Sequence, residues 1–238
     1  SAKPKAAKPK PKPAAAEHDP LTEWELVNGA AFELRGKIAK QPRNEALRQA
    51  MADLAVRSAA GAERALAIGD ASLFDSYRRQ FGEQFHDTRW RVGRMAAQSG
   101  AAEYAAGVLA LHGFFEPVSV DTACRHFGAA LSKAYNDAKF RVSQCLEKDD
   151  PARAAVLLRE AADSGHPAAA ELLGRACLEA KPPQAVCAYE RLTGAAAAGR
   201  PSAQSVLGWM YAQGVGGKAD PARAARLYLQ AARAGDAT

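Results

Sequence analysis

From Leu21 to Lys40 the apolar residues Trp24, Val27, Ala31, Leu34 and Ile38 recur at steps of three and four, the spacing that draws one stripe down an α-helix. Pro42, whose ring removes a backbone donor, stops that helix. Asn44 has the side chain of an N-cap, and Leu47, Met51, Leu54, Ser58, Gly61, Ala65 and Ile68 carry the same spacing through a second helix that ends at Gly69 and Asp70. Small residues at Ser58 and Gly61 permit close packing. Phe74, Tyr77, Phe81, Phe85 and Trp90 mark a third, aromatic stretch, expected to break near Gly82 and to resume after Asp87. Helices joined by short connections pack antiparallel, so residues 17–100 are expected to form helical hairpins.

The back half repeats itself. Ala203, Leu207, Gly208, Tyr211, Gly214, Gly216, Asp220, Ala224, Tyr228, Ala231, Ala232 and Gly235 form an ordered set that the preceding hundred residues echo. One copy keeps Ala169, Leu173, Gly174, Ala188, Leu192, Ala195, Ala196 and Gly199, and another keeps Ala138, Val142, Asp150, Ala154, Leu158, Ala161, Ala162 and Gly165. A fainter first copy has Ala102, Ala106, Gly107, Gly113, Ala123, Phe127 and Ala130. Ala134 stands where its turn glycine is expected, and Ser143 replaces the early glycine of the second copy. The copies start near 102, 138, 169 and 203, with periods of 36, 31 and 34 residues. Tiny side chains at fixed places let two helices touch, and each hairpin then stacks its remaining apolar face on the next. Asp150 before Pro151 and Asp220 before Pro221 supply an N-cap acceptor and a first-turn proline for two of the second helices.

This ordered set resembles the Sel-one-like repeat (SLR), a relative of the tetratricopeptide repeat. The resemblance implies an all-α protein over residues 101–238: an α/α solenoid, or superhelix, of four stacked antiparallel hairpins. It also implies a concave face, lined by the first helix of each repeat, that binds an extended peptide or partner segment. Aligning the Leu-Gly pairs transfers that face to Tyr104, Leu111 and His112 in the first copy and to Phe140 and Gln144 in the second. Glu171 and Arg175 follow in the third, and Trp209 and Gln213 in the fourth. Aromatic anchors among polar groups suit a binding strip, and they equally suit packing between repeats.

Composition agrees with helices: 57 of the 238 residues are alanine, the best helix former and a poor strand former, and only 7% are aromatic. That balance argues against sandwiches, barrels and large sheets. No run of eighteen uncharged apolar residues occurs, so no membrane span is expected, and no apolar leader opens the chain. The formal charge of +6 is mostly a tail effect. Lys3, Lys5, Lys8, Lys10 and Lys12 lie in the acid-free residues 1–16, which leaves 27 basic against 26 acidic residues in the remainder. With its prolines and like charges, this Lys/Pro/Ala-rich segment is expected to be disordered with polyproline II bias. It would serve as a spacer tethering the protein to something upstream of Ser1, or as a weak electrostatic contact with cell wall, phospholipid or polynucleotide.

Cys124 and Cys145 are centred on the turn expected at Ala134 and Tyr135, and Cys177 and Cys187 on the turn expected at Pro182 and Pro183. Residues equidistant from a turn meet at one height across an antiparallel pair, so disulfides Cys124–Cys145 and Cys177–Cys187 are expected. Disulfides persist in oxidising compartments, which points to a periplasmic protein. Four buried free cysteines in a cytosolic repeat protein is the competing reading, and a zinc site the third. For zinc only His126 lies near a cysteine, without any CxxC pair.

His18, His86, His112, His126 and His166 are scattered and fit neither HExxH nor a nucleophile–base pattern. Gly214, Gly216 and Gly217 match the interhelical loop of the repeat, not a phosphate cradle, and Asp149 and Asp150 have a capping role. No catalytic residue, metal ligand or cofactor is therefore assigned. The expected function is a non-enzymatic scaffold of the bacterial cell envelope that binds a partner protein or peptide through the concave face. The alternative from another class is an anionic-polymer binder, of nucleic acid or cell wall, acting through the basic tail.

Overall fold

The computed structural model describes residues 20–114 and 116–234. The expectations for the basic tail, for Gly235 and for Ser1 lie outside the described residues. Twelve α-helices and one 3₁₀ turn, with no strand, make up the secondary structure among them. The first four are α1 (Pro20–Lys40), α2 (Glu45–Ile68), α3 (Ala71–Phe85) and, after the 3₁₀ turn His86–Thr88, α4 (Arg89–Ala96). Four hairpins follow: α5 (Gly100–His112) with α6 (Val120–Ser132), α7 (Ala138–Leu146) with α8 (Pro151–Asp163), α9 (Pro167–Glu179) with α10 (Ala185–Ala197), and α11 (Pro201–Gln213) with α12 (Pro221–Arg233). Each helix packs on its neighbours in the chain, so the protein is an all-α solenoid of stacked antiparallel hairpins.

The local signals act as their chemistry dictates. Asn44 caps α2 by accepting from the Leu47 amide at 3.2 Å, and Gly69 closes it at φ 92°, a left-handed conformation that favours glycine. Asp70 accepts from the Leu73 amide at 2.8 Å and so starts α3 one residue later. Asp150 and Asp220 cap α8 and α12 through the amides of Arg153 and Arg223, at 3.0 and 2.9 Å, with proline in the first turn of each helix.

The aromatic stretch differs from expectation. Helix α3 runs unbroken through Gly82, and the interruption falls at His86–Thr88, where the buried Thr88 hydroxyl donates to the Phe85 carbonyl at 2.5 Å. One glycine costs a helix only about 1 kcal/mol, and the burial of Phe81 and Phe85 on one face outweighs it. Trp90 sits half exposed on α4 instead of joining that core.

Within the hairpins the small residues are required by contact. A Cβ added to Gly107 would lie 2.5 Å from Phe127, one on Gly174 2.7 Å from Leu192, and one on Gly208 3.2 Å from Tyr228. In the second hairpin Ser143 is buried and its hydroxyl donates to the Phe140 carbonyl at 2.7 Å. At the turns between hairpins, Ala134 has φ 60°, beside 90° for Gly165 and 88° for Gly199. The first turn thus adopts the glycine conformation without the glycine.

Both disulfides form as expected. Cys124–Cys145 joins α6 to α7, and Cys177–Cys187 joins α9 to α10 across the Pro182–Pro183 turn, with Cα separations of 5.8 and 6.0 Å.

Helix α2 departs most from its sequence pattern. Its expected stripe is buried at Met51, Leu54, Ser58, Gly61 and Ala65, but Ala52, Ala55, Ala59, Ala62 and Glu63 are buried as well. It is a central helix, enclosed by α1, α3, α4 and α5. One hydrophobic cluster runs without a break from Val27 in α1 to Leu157 in α8, so the front helices and the first two hairpins share a core. A second spans Phe140 in α7 to Met210 in α11.

Candidate functional site

The residues expected to form the binding strip separate into two rows. Those three positions before the early small residue of each repeat, Tyr104, Phe140 and Glu171, are 5, 7 and 5% exposed. Those one position after it, Gln144, Arg175 and Trp209, are exposed, as is Gln213 one turn beyond Trp209. The two positions are four residues apart, about 40° around the helix, so they share a face and the split comes from what packs over each of them. Leu111 is half buried against the first core cluster.

The buried row lies under α2. Glu63, on that helix, is the centre of the arrangement. Its Oε2 accepts from Arg141 Nε at 2.8 Å and from the Tyr104 hydroxyl at 3.3 Å, while Oε1 pairs with His112 Nε2 at 2.9 Å. One carboxylate thereby ties α2 to α5 and α7. Burial pushes the Glu63 carboxyl up, but the His112 hydrogen bond and the Arg141 guanidinium outweigh it and hold the group below the usual carboxylate range. Burial and the Glu63 charge push the Tyr104 phenol well above its ordinary value. Phe74 and Phe114 meet the His112 ring edge-on, at centroid distances of 4.8 and 6.4 Å.

A second clamp holds the same C-terminal part of α2, one turn beyond Glu63. Arg200, the residue before α11, donates to the Ala67 carbonyl at the end of α2 and pairs with Glu171 of α9. Glu171 also accepts from Ser202 Oγ at 2.6 Å and forms an ion pair with Arg175 Nε at 3.2 Å. Between the clamps, His166 accepts from the Ala169 amide at 3.3 Å as the cap of α9, and its ring stacks on Phe140 at 4.4 Å. Burial, then the nearby Arg141 charge, lowers its pKa to about 4, so the ring stays neutral. A third buried carboxylate, Glu103, accepts from Lys133 Nζ at 2.7 Å and pairs with His126 Nδ1 at 2.7 Å. Burial raises it, and Lys133 and His126 together pull it below the usual range. Glu63 and Glu103 are thus held ionised and paired, which suits clamping more than proton transfer.

Beside the buried row a cleft of about 580 Å³ opens between α2 and the turns leading into α7 and α9. Arg64, Ile68, Tyr135, Asn136, Asp137 and His166 are among its lining residues. Among the described residues no group of three or more His, Cys, Asp or Glu side chains is placed to hold a metal ion, and no helix is long and apolar enough to cross a membrane.

The strip residues chosen from sequence therefore fall on two surfaces, one under α2 and one open. Glu63, Arg141, Arg200 and His166 were not singled out for this site. The available signal was Glu63 itself, a charged residue flanked by Ala59, Ala62 and Ala65 on a helix otherwise rich in small side chains. Its partners are 41 to 78 residues away in the chain, beyond the reach of any local pattern.

A family model described as Sel1 repeat matches residues 137–166 and 201–236, within the second and fourth hairpins. The crystal structure of a Sel1 repeat protein from Oxalobacter formigenes is similar at a TM-score of 0.53 and 23% identity, over 67% of this chain and 69% of that one. A protective antigen present in uropathogenic Escherichia coli strains and displaying an SLR fold is similar at a TM-score of 0.55 and 18% identity. That match covers 82% of this chain and 47% of the antigen, so the chain spans about half of the antigen's length. No curated protein matches the sequence. At these identities the two structures speak for the fold, and the repeat matches speak for the sequence. The second and fourth hairpins thus match the Sel1 repeat, and the chain shares the stacked-hairpin architecture of proteins with the SLR fold.

Proposed function

We propose that the chain is an envelope scaffold that holds a segment of another protein along Gln144, Arg175, Trp209 and Gln213, on the open part of the face formed by the first helices of the repeats. Sel1-repeat proteins are in general non-catalytic scaffolds for protein interaction. The observation that carries the placement is Trp209, a large aromatic residue 45% exposed at the centre of α11 with polar neighbours in register on α7 and α9. An exposed tryptophan rimmed by polar groups is the kind of anchor that dominates protein interfaces. Tyr104, Leu111, His112, Phe140 and Glu171 support this strip from beneath, by holding α5, α7 and α9 against α2. The cleft at Arg64, Asn136 and Asp137 would take the continuation of the bound segment. Two disulfides favour an oxidising compartment, and the periplasm is the proposed location.

Site-specific photo-crosslinking in the source cell tests the surface. Photoreactive residues at 144, 175 and 213 should yield one common protein adduct that Trp209→Ala abolishes, while the same probe at Arg159, on the exposed side of α8, should not. An adduct from position 159 alone would place the interface on the other side. The compartment is tested separately: four free thiols in protein isolated from its native location would exclude the periplasm.

A further inference from the structure

At the opposite end of α2, away from the repeats, a second cleft of about 480 Å³ opens between the end of α1, the start of α2 and the junction of α3 with α4. Its volume falls within the range of small-ligand pockets. Arg35, Arg48 and Arg91 converge on it from three different helices, over a floor that includes Ile38, Ala39 and Met51. Such a gathering of like charges is unfavourable unless something compensates it, and the compensation present is incomplete. Both oxygens of Glu45 are taken up by Arg91, through Nη1 at 2.5 Å and Nη2 at 2.8 Å. The Arg91 side chain is only 7% exposed and stacks on the Trp90 ring at 4.3 Å, so its position is fixed. Asp87, fully exposed, is engaged with His86 at 3.6 Å.

Two guanidinium groups are left over. Arg48 donates Nε to the Pro42 carbonyl at 2.7 Å, which orients it; it feels the Glu45 charge at longer range, and its Nη groups make no hydrogen bond among the described residues. Arg35 has no acidic partner among the described residues, and its helical neighbours at three and four residues, Ala31, Phe32, Ile38 and Ala39, offer none. Planar forks of this kind take a carboxylate or phosphate bidentately, and the apolar floor beside them suits a short hydrocarbon body.

We infer that this cleft is a binding site for an anionic amphiphile, with Arg35 and Arg48 receiving a phosphate or carboxylate head and Ile38, Ala39 and Met51 the apolar part. The site is independent of the partner-binding strip. Isothermal titration of the full chain with hexyl phosphate, hexanoate and hexan-1-ol tests it. Saturable binding of either anion is expected, weakened tenfold or more in Arg35→Gln and in Arg48→Gln and unchanged in Arg159→Gln, a substitution of an exposed arginine on α8. The tighter anion identifies the head group. Circular dichroism confirms that each variant is folded. Absence of saturable binding at millimolar concentration, equal affinity for hexan-1-ol, or an equal loss in Arg159→Gln overturns the inference.

Discussion

Ala134 holds a left-handed backbone angle that its repeat equivalents leave to glycine. For alanine this conformation costs about 1–2 kcal/mol, part of which glycine returns through the greater freedom of its unfolded chain. Ala134→Gly should therefore stabilise the protein by about 0.5–1 kcal/mol, read as a higher denaturant midpoint. His166 makes the complementary point about a titrating side chain. Its native pKa of about 4 lies below the ordinary 6.5, so between these values the unfolded chain binds the proton that the native ring refuses. Stability from this group is complete above pH 6.5 and is lost as the pH falls toward 4, by about 3 kcal/mol in all. Denaturation curves from pH 7 to 4 should show that slope, and His166→Asn, which keeps a capping side chain, should lack it.

At the scale of the helix pair, the early glycine of each repeat is set by what faces it. Gly107 meets the Phe127 ring so closely that Gly107→Ala should cost about 1–3 kcal/mol, whereas Gly128, in the adjoining helix, meets nothing within 4 Å. Gly128→Ala should instead stabilise by about 0.5–1 kcal/mol through helix propensity, and paired melting curves would show the opposite signs. The caps, the turns and both cysteine pairs were legible in the sequence because each depends on a few residues near one turn. The continuity of α3 was not. Gly82 is a weak local breaker, and only the burial of Phe81 and Phe85 against the rest of the core outweighs it.

In the whole molecule, α2 is where the front helices and the repeats become one body. Glu63 binds two successive hairpins, and Glu63→Gln would leave the Arg141 guanidinium buried without its counter-charge. That loss should lower unfolding stability by about 3–5 kcal/mol, more than any exposed ion pair would, and chemical denaturation measures it. The same helix accounts for the division of the binding strip. Leu-Gly register placed Tyr104, Phe140 and Glu171 beside Gln144, Arg175 and Trp209 as equivalent candidates, because repeat alignment sees only the hairpins. By itself the sequence determined the helices other than the run of α3, the caps, the stacking of hairpins and the cysteine pairs, since these follow from periodicity and from contacts across single turns. Only the tertiary structure decided that α2 lies along the first helices, which residues it covers, and where the arginines of three helices converge. Those outcomes rest on contacts between segments tens of residues apart, which depend on how the rods pack in three dimensions and leave no periodic mark on the chain.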